Sequence, residues 1–310
     1  MSALGDNIEV RMVAANERVE ALWLLFGWEP EAHRRDRLAA CVAAGRKDPT
    51  SKTFQFLFEA VYAGDRLGCV WGHVVPGRIA NVWPSYCLRN SDPDLCDLLQ
   101  TTLDRELTAA GIVCGQSLLP PNAKHLSEIL LRNGYRQAAQ LLFLACDCAN
   151  FPTEAPSSEL QFVSFQQDQQ QRLEKLVDVT YLGSLDAPML NGLRSTEDVI
   201  DGYRQTGNHS TNRWFFVRYQ DRDVGCLLLT EHHQRQWELI YMGLVPEVRS
   251  RALGEAITRY AQWLAGSAGC STLLLGADEE NHPAITTYAR CGFYELDRRL
   301  ALIKQFCGVS

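Results

Sequence analysis

The chain has 310 residues, of which 46% are hydrophobic and 22% charged, and its formal net charge is -7 at pH 7. This is the composition of a folded globular protein, and the length suits two domains of roughly 150 residues each. The net negative charge disfavours nucleic acid or an anionic membrane as a partner, since either requires a basic face, and we expect neither.

Cysteine usage and the first residues predict a cytoplasmic protein. The eleven cysteines are scattered and form no CxxC pair and no cysteine–histidine ligand spacing, so neither a disulfide framework nor a metal site is expected. Reduced thiols fit the cytoplasm. MSALGDNIEV has no apolar signal core, and no apolar run approaches the ~18 residues of a membrane span.

The chain repeats itself at one offset. FEAVYAGDRLGCVWGHVV in the first half and FFVRYQDRDVGCLLLTEHH in the second both read as hairpins, with an Asp-Arg turn and then Gly-Cys between apolar runs. Gly68 and Gly225 are 157 positions apart, and Gly134 and Gly292 are 158 apart. The repeat indicates a duplication and predicts domains at 1–150 and 160–310, joined by the linker NFPTEAPSSEL.

Both halves have the same predicted order of elements. An amphipathic helical region (Val19 to Trp28; Gln171 to Leu182) precedes the hairpin, and a helix (99–110; 254–265), a short strand, another helix and a final strand follow. Only the second half has a further predicted strand, from Trp237 to Val245. This order predicts an α/β fold, with two tandem domains that each have a mixed sheet flanked by helices.

The segment WELIYMGLVPEVRSRALG, which begins at Trp237, joins a strand to a helix through small residues. Free backbone N–H groups at a helix start bind phosphate, small residues allow close approach, and arginines add charge. An ordinary strand-to-helix turn is the alternative. The predicted cofactor-binding residues here are Leu244, Val245, Arg249, Ser250, Arg251, Ala252, Leu253 and Gly254.

This segment resembles the acetyl-CoA loop of the GNAT superfamily of N-acetyltransferases, which reads [Gln/Arg]-x-x-Gly-x-[Gly/Ala]. Arg249 matches the first position and Gly254 the last, whereas Ala252 stands where the family usually has Gly. The residues from Asn281 resemble the second signature of the family, Asn-x-x-Ala-x-x-x-Tyr-x-x-x-Gly-Phe, with Tyr288 as its tyrosine. Through the repeat, the tandem arrangement is similar to that of mycothiol synthases.

The resemblance implies direct transfer of an acetyl group from acetyl-CoA, as co-substrate and without a metal, to an amine. In the family, a carboxylate on the strand before the loop often serves as the base, and the tyrosine of the second signature serves as the acid. Glu238 and Tyr288 occupy these positions. Glu238 is equally compatible with an arginine pair or an exposed strand start, Tyr288 with core packing, and Asn281 with a CoA contact or an N-cap.

Strand alternation and local polarity give two further expectations. Glu238 should share a sheet face with Met242, opposite Tyr241, because side chains alternate along a strand. His232 and His233, in the polar turn EHHQRQ, should be exposed to solvent.

In GNAT proteins the helical segment after the first strand commonly lines the acceptor site. Here that segment contains TYLGSLDAPMLNGLRSTEDV, in which polar residues stand among turn-forming Gly and Pro. Such a loop suits a small polar amine, although its polar residues also suit hydrogen bonds to its own backbone. The predicted substrate-binding residues are Tyr181, Asp186, Asn191 and Arg194; no oligomeric state is predicted.

The first half has lost these features. The stretch equivalent to the CoA loop contains no glycine and carries Asp92 and Asp94, whose charges would repel a pyrophosphate. Leu130 stands where the second half has Tyr288. We therefore expect the C-terminal domain to be the acetyltransferase and the N-terminal domain to be degenerate. A catalytically silent acyl-CoA-binding or scaffold protein is the alternative.

Overall fold

The computed structural model describes residues 8–47, 52–88, 93–208, 210–249 and 251–306, and it divides into two compact units. The first unit holds residues 1–137 and 300–310, and the second holds residues 138–299. The units therefore differ from the two sequence halves, because residues 138–150 belong to the second unit and those from Leu300 on belong to the first.

The first unit is a sheet with helices. Its elements are β1 (Glu9–Met12), α1 (Arg18–Leu25), α2 (Glu31–Lys47), β2 (Phe56–Tyr62), β3 (Asp65–Val75), β4 (Ile79–Cys87), α3 (Pro93–Ala109), β5 (Cys114–Leu119), α4 (Lys124–Arg132) and the end of the last strand of the chain. The strand order is β1-β2-β3-β4-β5 followed by that last strand. The helix predicted to reach Trp28 ends at Leu25, and α2 begins after Pro30, which cannot continue a helix from within.

The second unit has the same architecture. Its elements are β6 (Arg136–Asp147, from Ala138 on), β7 (Leu160–Ser164), α5 (Gln170–Tyr181), α6 (Thr196–Arg204), β8 (Trp214–Tyr219), β9 (Arg222–His232), β10 (Gln236–Leu244), α7 (Leu253–Ser267), β11 (Thr272–Asp278), α8 (His282–Arg290) and the first part of β12 (Tyr294–Gln305). The strand order is β6-β11-β10-β9-β8-β7, and only the β10–β11 pair is parallel.

Helices cover both faces of the second sheet. On one face α7 buries Ile257, Ala261 and Ala265, which recur every four residues and so form one stripe of the helix, against Leu273 and Leu275 of β11. On the other face α5 buries Val177 and its neighbours against β8 and β9. These two layers hold β10 and β11 between them.

The duplication is visible in the structure. α4 and α8 begin and end 158 positions apart, and each is followed by a glycine, Gly134 and Gly292, at φ 84°. Only glycine adopts this left-handed conformation without strain, so both helices stop in the same way. The prediction of a further strand in the second half alone was wrong, because β4 pairs parallel with β5 as β10 does with β11. The sequence pattern did not indicate β4 because Pro84 interrupts its hydrophobic run.

Candidate active site

β10 and β11 separate partway along their length. They pair over Gln236–Leu239 and Thr272–Leu275, although β10 continues to Leu244 and β11 to Asp278. The register shift in the β9–β10 ladder, with Ile240 as the extra residue, lies where the separation begins. Among the described residues, the later part of β10 has no strand partner on that side, so its amide groups can pair with an extended, amide-containing ligand.

The bulge changes which side chains share a face. Met242 packs with Leu239 in the cluster beneath α7, and Thr258 of α7 lies 3.9 Å from its sulfur. Tyr241 lies on the opposite face with α5 and α6. The expectation that Glu238 and Met242 share a face was wrong, because one extra residue shifts an alternation whose period is two.

The start of α7 offers unused hydrogen-bond donors. Its N-cap residue, Ala252, has φ 59° and no side-chain cap. No acceptor among the described residues takes the N–H groups of Ala252, Leu253 or Gly254. These donors lie at the positive end of a 15-residue helix, which favours an anion. Ser250, also predicted to bind here, lies outside the described residues.

Neither packing nor backbone conformation accounts for Gly254. It is helical, and a Cβ built on it would meet nothing nearer than Thr287 Cγ2 at 3.8 Å. A glycine inside a helix costs about 0.5–1 kcal/mol relative to alanine. The space that this Cβ would fill lies open, as the close approach of a phosphate to the backbone requires.

The two predicted arginines differ in their surroundings. The Arg249 guanidinium donates to the carbonyls of Leu182 and Gly183 through Nη1, of Thr180 through Nη2, and of Leu244 through Nε, at 2.8–3.1 Å. Its donors are therefore occupied by the protein. Arg251 is exposed and has no hydrogen bond or ion pair with the described residues. Leu244 and Val245 end β10, and the Val245 N–H donates to Val224.

Tyr288 is 6% exposed and packs on Phe293, with ring centres 5.7 Å apart. Burial raises the pKa of its hydroxyl well above the usual value, and the Asp186 carboxylate raises it further. That hydroxyl has no hydrogen-bond partner among the described residues. α8 positions it: the Asn281 side chain caps this helix by accepting from the Ala284 N–H at 3.4 Å.

Glu238 pairs with a histidine rather than with an arginine. His232 Nε2 lies 2.6 Å from Glu238 Oε2, and the side chains are 32% and 29% exposed. The pair lies where β10 is still joined to β11, two residues before the bulge. Sequence reasoning had placed His232 in solvent; its position opposite Gln236 in the hairpin, close to Glu238, was the missed signal.

The predicted acceptor loop reaches the end of β11. Asp186 Oδ1 accepts from the Asp278 N–H at 2.8 Å, and Asp278 Oδ2 accepts from the Ala187 N–H at 3.1 Å. Burial raises the pKa of Asp186, the Asp278 N–H opposes this, and the Asp278 charge adds to it. Asp186 thus lies near both Tyr288 and the opening between the strands, while part of the residue remains exposed.

The other predicted acceptor residues differ in burial. The Tyr181 hydroxyl lies 3.2 Å from that of Tyr203, whose ring stacks on Tyr241. Asn191 is exposed and makes one long bond to the Tyr181 carbonyl, whereas Arg194 is half-buried. Of the four predicted residues, Tyr181 contacts buried aromatic side chains and Asp186 contacts the end of β11. Tyr203 and Tyr241 were not predicted.

The described residues contain no helix that could span a membrane. Nor do they contain a cluster of three or more histidine, cysteine, aspartate or glutamate side chains placed to hold a metal.

Comparisons with known proteins agree with this geometry. The profile of the acetyltransferase (GNAT) family matches residues 180–293, which include β10, α7, β11 and α8. A mycothiol acetyltransferase from Corynebacterium jeikeium is 30% identical over 103 residues. That match covers 33% of this chain but only 26% of the relative.

Solved structures share the fold over nearly the whole chain. A GCN5-related N-acetyltransferase from Sphaerobacter thermophilus superposes with a TM-score of 0.64 at 15% identity, covering 99% of both chains. A tandem GNAT protein from the clavulanic acid biosynthesis pathway superposes with a TM-score of 0.52 at 12% identity, covering 98% of this chain and all of the other. The predicted fold class, two tandem GNAT-like domains with mixed sheets, is confirmed.

Proposed function

We propose that the protein is an acetyl-CoA-dependent N-acetyltransferase that acts on a small amine in its second unit, since the profile of the acetyltransferase (GNAT) family matches residues 180–293. One observation carries the proposal: free N–H donors at the start of α7 lie next to the opening between β10 and β11. A phosphate site and a strand edge open to amides are the two features that a CoA thioester requires of its protein.

The residues present fit this co-substrate. The N–H groups of residues 252–254 and the Arg251 side chain would hold the pyrophosphate, and the free edge of β10 near Leu244 would hold the amide arm. Asn281, which caps the helix that carries Tyr288, is proposed as a further contact to CoA. When bound, acetyl-CoA supplies an acetyl group activated as a thioester.

Glu238 is proposed to take the proton from the acceptor. An amine of pKa about 10.4 is almost fully protonated at pH 7, and freeing it costs roughly 4–5 kcal/mol. The Glu238–His232 pair at 2.6 Å offers an acidic group that a second titratable side chain holds in place. The ammonium group of the acceptor first gives one proton to this pair, directly or through water. Its nitrogen then bonds to the acetyl carbon as the carbon–sulfur bond breaks, and the second proton passes to solvent.

Tyr288 is proposed to stabilise the sulfur as it leaves. Because burial raises its pKa, the hydroxyl keeps its proton at neutral pH and can donate a hydrogen bond. Full transfer of that proton to a thiolate of pKa about 8.5 would be unfavourable. The proposed role is therefore hydrogen-bond donation, and the thiolate takes its proton from solvent after release.

The first unit is proposed to bind no CoA. β4 and β5 separate there as β10 and β11 do, but α3 begins with Pro93, which has no N–H, and Asp94 follows in the first turn. Asp92 lies outside the described residues. The ten cysteines among the described residues are free thiols, which supports the cytoplasm as the proposed location.

The experiment is a screen of primary amines with acetyl-CoA, in which thiol release is measured with the full chain. Release with at least one amine, lowered in the isosteric variant Glu238→Gln, is the expected result. CoA binding without release for any amine would instead identify the silent acyl-CoA-binding protein. If neither binding nor release occurs, the proposal fails.

A further inference from the structure

A cavity of about 410 Å³ opens beside Glu238 in the second unit. It lies on the sheet face opposite α7, because Leu273 and Leu275 pack beneath that helix and the intervening Leu274 faces the cavity. Phe143 of β6 and Leu296 of β12 add to its apolar lining, to which Leu144 and Leu275 also contribute. Ligand pockets for small molecules span about 300–1,000 Å³, so the space suits a small acceptor rather than a protein.

The apolar side chains that line the cavity are unusually exposed to solvent. Leu296 is 61% exposed, and Phe143 and Leu274 are half-buried. Aliphatic and aromatic groups brought together in a concave surface, and not covered by other described residues, favour an apolar occupant.

One end of the cavity is polar and carries a single acidic side chain. Glu238 and His232 line that end, and the lining contains neither lysine nor arginine. A carboxylate without a nearby permanent cation attracts an ammonium group and repels a carboxylate or phosphate. The same carboxylate is the proposed base, so an amine placed there lies where the proton must be taken.

We infer that the acceptor is a primary amine on an apolar aryl or alkyl body without an anionic group. This inference rests on the proposed function and specifies its substrate class. The apolar body occupies the lining of Phe143, Leu274 and Leu296, and the amine faces Glu238. The acceptor therefore differs from the small polar amine that the loop of residues 180–199 had suggested.

The test compares four amines with the full chain and saturating acetyl-CoA: 2-phenylethylamine, ethanolamine, phenylalanine and glucosamine. A matched hydrophobic group in a pocket is worth a factor of 10 or more, so kcat/KM for 2-phenylethylamine should exceed that for ethanolamine by roughly 10²-fold. Phenylalanine, which adds a carboxylate to the same body, should be poorer. Equal or better rates with ethanolamine or glucosamine would overturn the inference and leave the acetyltransferase itself standing.

Variants separate the cavity from the chemistry. Leu296→Asn should raise KM for 2-phenylethylamine about 10-fold and raise KM for ethanolamine less. Leu296 is 61% exposed, and surface substitutions usually change stability by no more than about 0.5 kcal/mol. The control Leu131→Asn alters a leucine of similar exposure, 48%, on α4 of the first unit. Equal effects of both variants on KM would overturn the inference.

A binding measurement keeps the inference testable if turnover is absent. Calorimetric titration of 2-phenylethylamine into the CoA-saturated chain should detect binding that Leu296→Asn weakens. If no binding is detected, the inference fails, whereas the proposed function fails only if CoA binding and acetyl transfer to every amine are also absent.

Discussion

The guanidinium of Arg249 donates a hydrogen bond to the carbonyl of Thr180 at 2.8 Å, which ties the loop before α7 to the end of α5. The same side chain reaches the carbonyls of Leu182 and Gly183, where the loop of residues 182–187 begins. Carbonyls at a helix C-terminus have no intrahelical partner, so a cation placed there supplies the hydrogen-bond donors that they lack. One side chain thus links the proposed pyrophosphate loop to the proposed acceptor loop.

Arg249→Ala and Arg251→Ala should therefore have different effects. Removing Arg249 leaves four carbonyls without their donor, and the free energy of unfolding should fall by about 2–3 kcal/mol. Removing Arg251 should leave stability within about 0.5 kcal/mol and weaken CoA binding roughly 5-fold, as expected for one surface charge near a phosphate. Denaturant unfolding and calorimetric titration measure the two quantities. If Arg249→Ala is as stable as the wild type, Arg249 does not hold the loop before α7 to the end of α5.

Ala252→Gly should stabilise the second unit. The left-handed conformation at φ 59° costs an alanine about 1–2 kcal/mol, and glycine avoids this cost. The greater freedom of glycine in the unfolded chain offsets about 0.5–1 kcal/mol of the resulting gain in stability. A net gain of about 0.5–1 kcal/mol is expected in thermal unfolding. The control Ala256→Gly, inside α7, should lose about 1 kcal/mol. Loss of stability in both variants would contradict the argument.

Tyr288→Phe removes one hydroxyl from a packed ring. Turnover should fall by roughly 10²-fold, within the range for groups that assist proton and charge movement, while CoA affinity stays nearly unchanged. Steady-state kinetics and calorimetry test this. Unchanged turnover would assign the ring to core packing alone.

The buried tyrosines should make the second unit less stable in alkali. Burial raises the pKa values of Tyr203, Tyr241 and Tyr288 above that of an unfolded tyrosine, about 10. The unfolded chain therefore loses these protons first. Stability is fully present below about pH 10 and falls as the pH rises further. Denaturant unfolding from about pH 9 to about pH 11 should show this fall, with a shallower slope for Tyr203→Phe than for the wild type.

Each chain should bind one CoA. Calorimetric titration should saturate near one equivalent, and Gly254→Asp should eliminate binding, since its carboxylate would occupy the open space at the start of α7. Asp94→Arg, in the equivalent first turn of α3, should leave the stoichiometry at one. Two equivalents, or binding that survives Gly254→Asp, would show that the active unit was assigned wrongly.

The sequence predicted much of the fold because its signals are local. The hairpin motif in each half, the glycine that follows α4 or α8, and the strand-to-helix turn at Ala252 are each contained in one short stretch of the chain. The bulge at Ile240 was not predictable, because an extra residue in a strand leaves an apolar pattern that looks continuous.

Long-range contacts account for most of what the sequence did not reveal about the site. Arg249 reaches carbonyls 66–69 positions away, and Phe143 lines a cavity with residues far along the chain. The sequence motif identified Arg249 as a site residue but did not indicate which groups it hydrogen-bonds. Charge and periodicity do not encode which distant backbone group a guanidinium will meet.

The assignment of β6 to the second unit has a practical consequence for any attempt to divide the gene. A fragment cut at the linker near residue 155 would lack Leu141–Asp147 of β6, which pair with Thr272–Asp278 of β11 along one of its edges. The exposed ladder of β11 would then invite pairing between copies and precipitation. A shorter expression clone of the second unit should therefore begin at Ala138, upstream of the linker that first suggested itself as the cutting point.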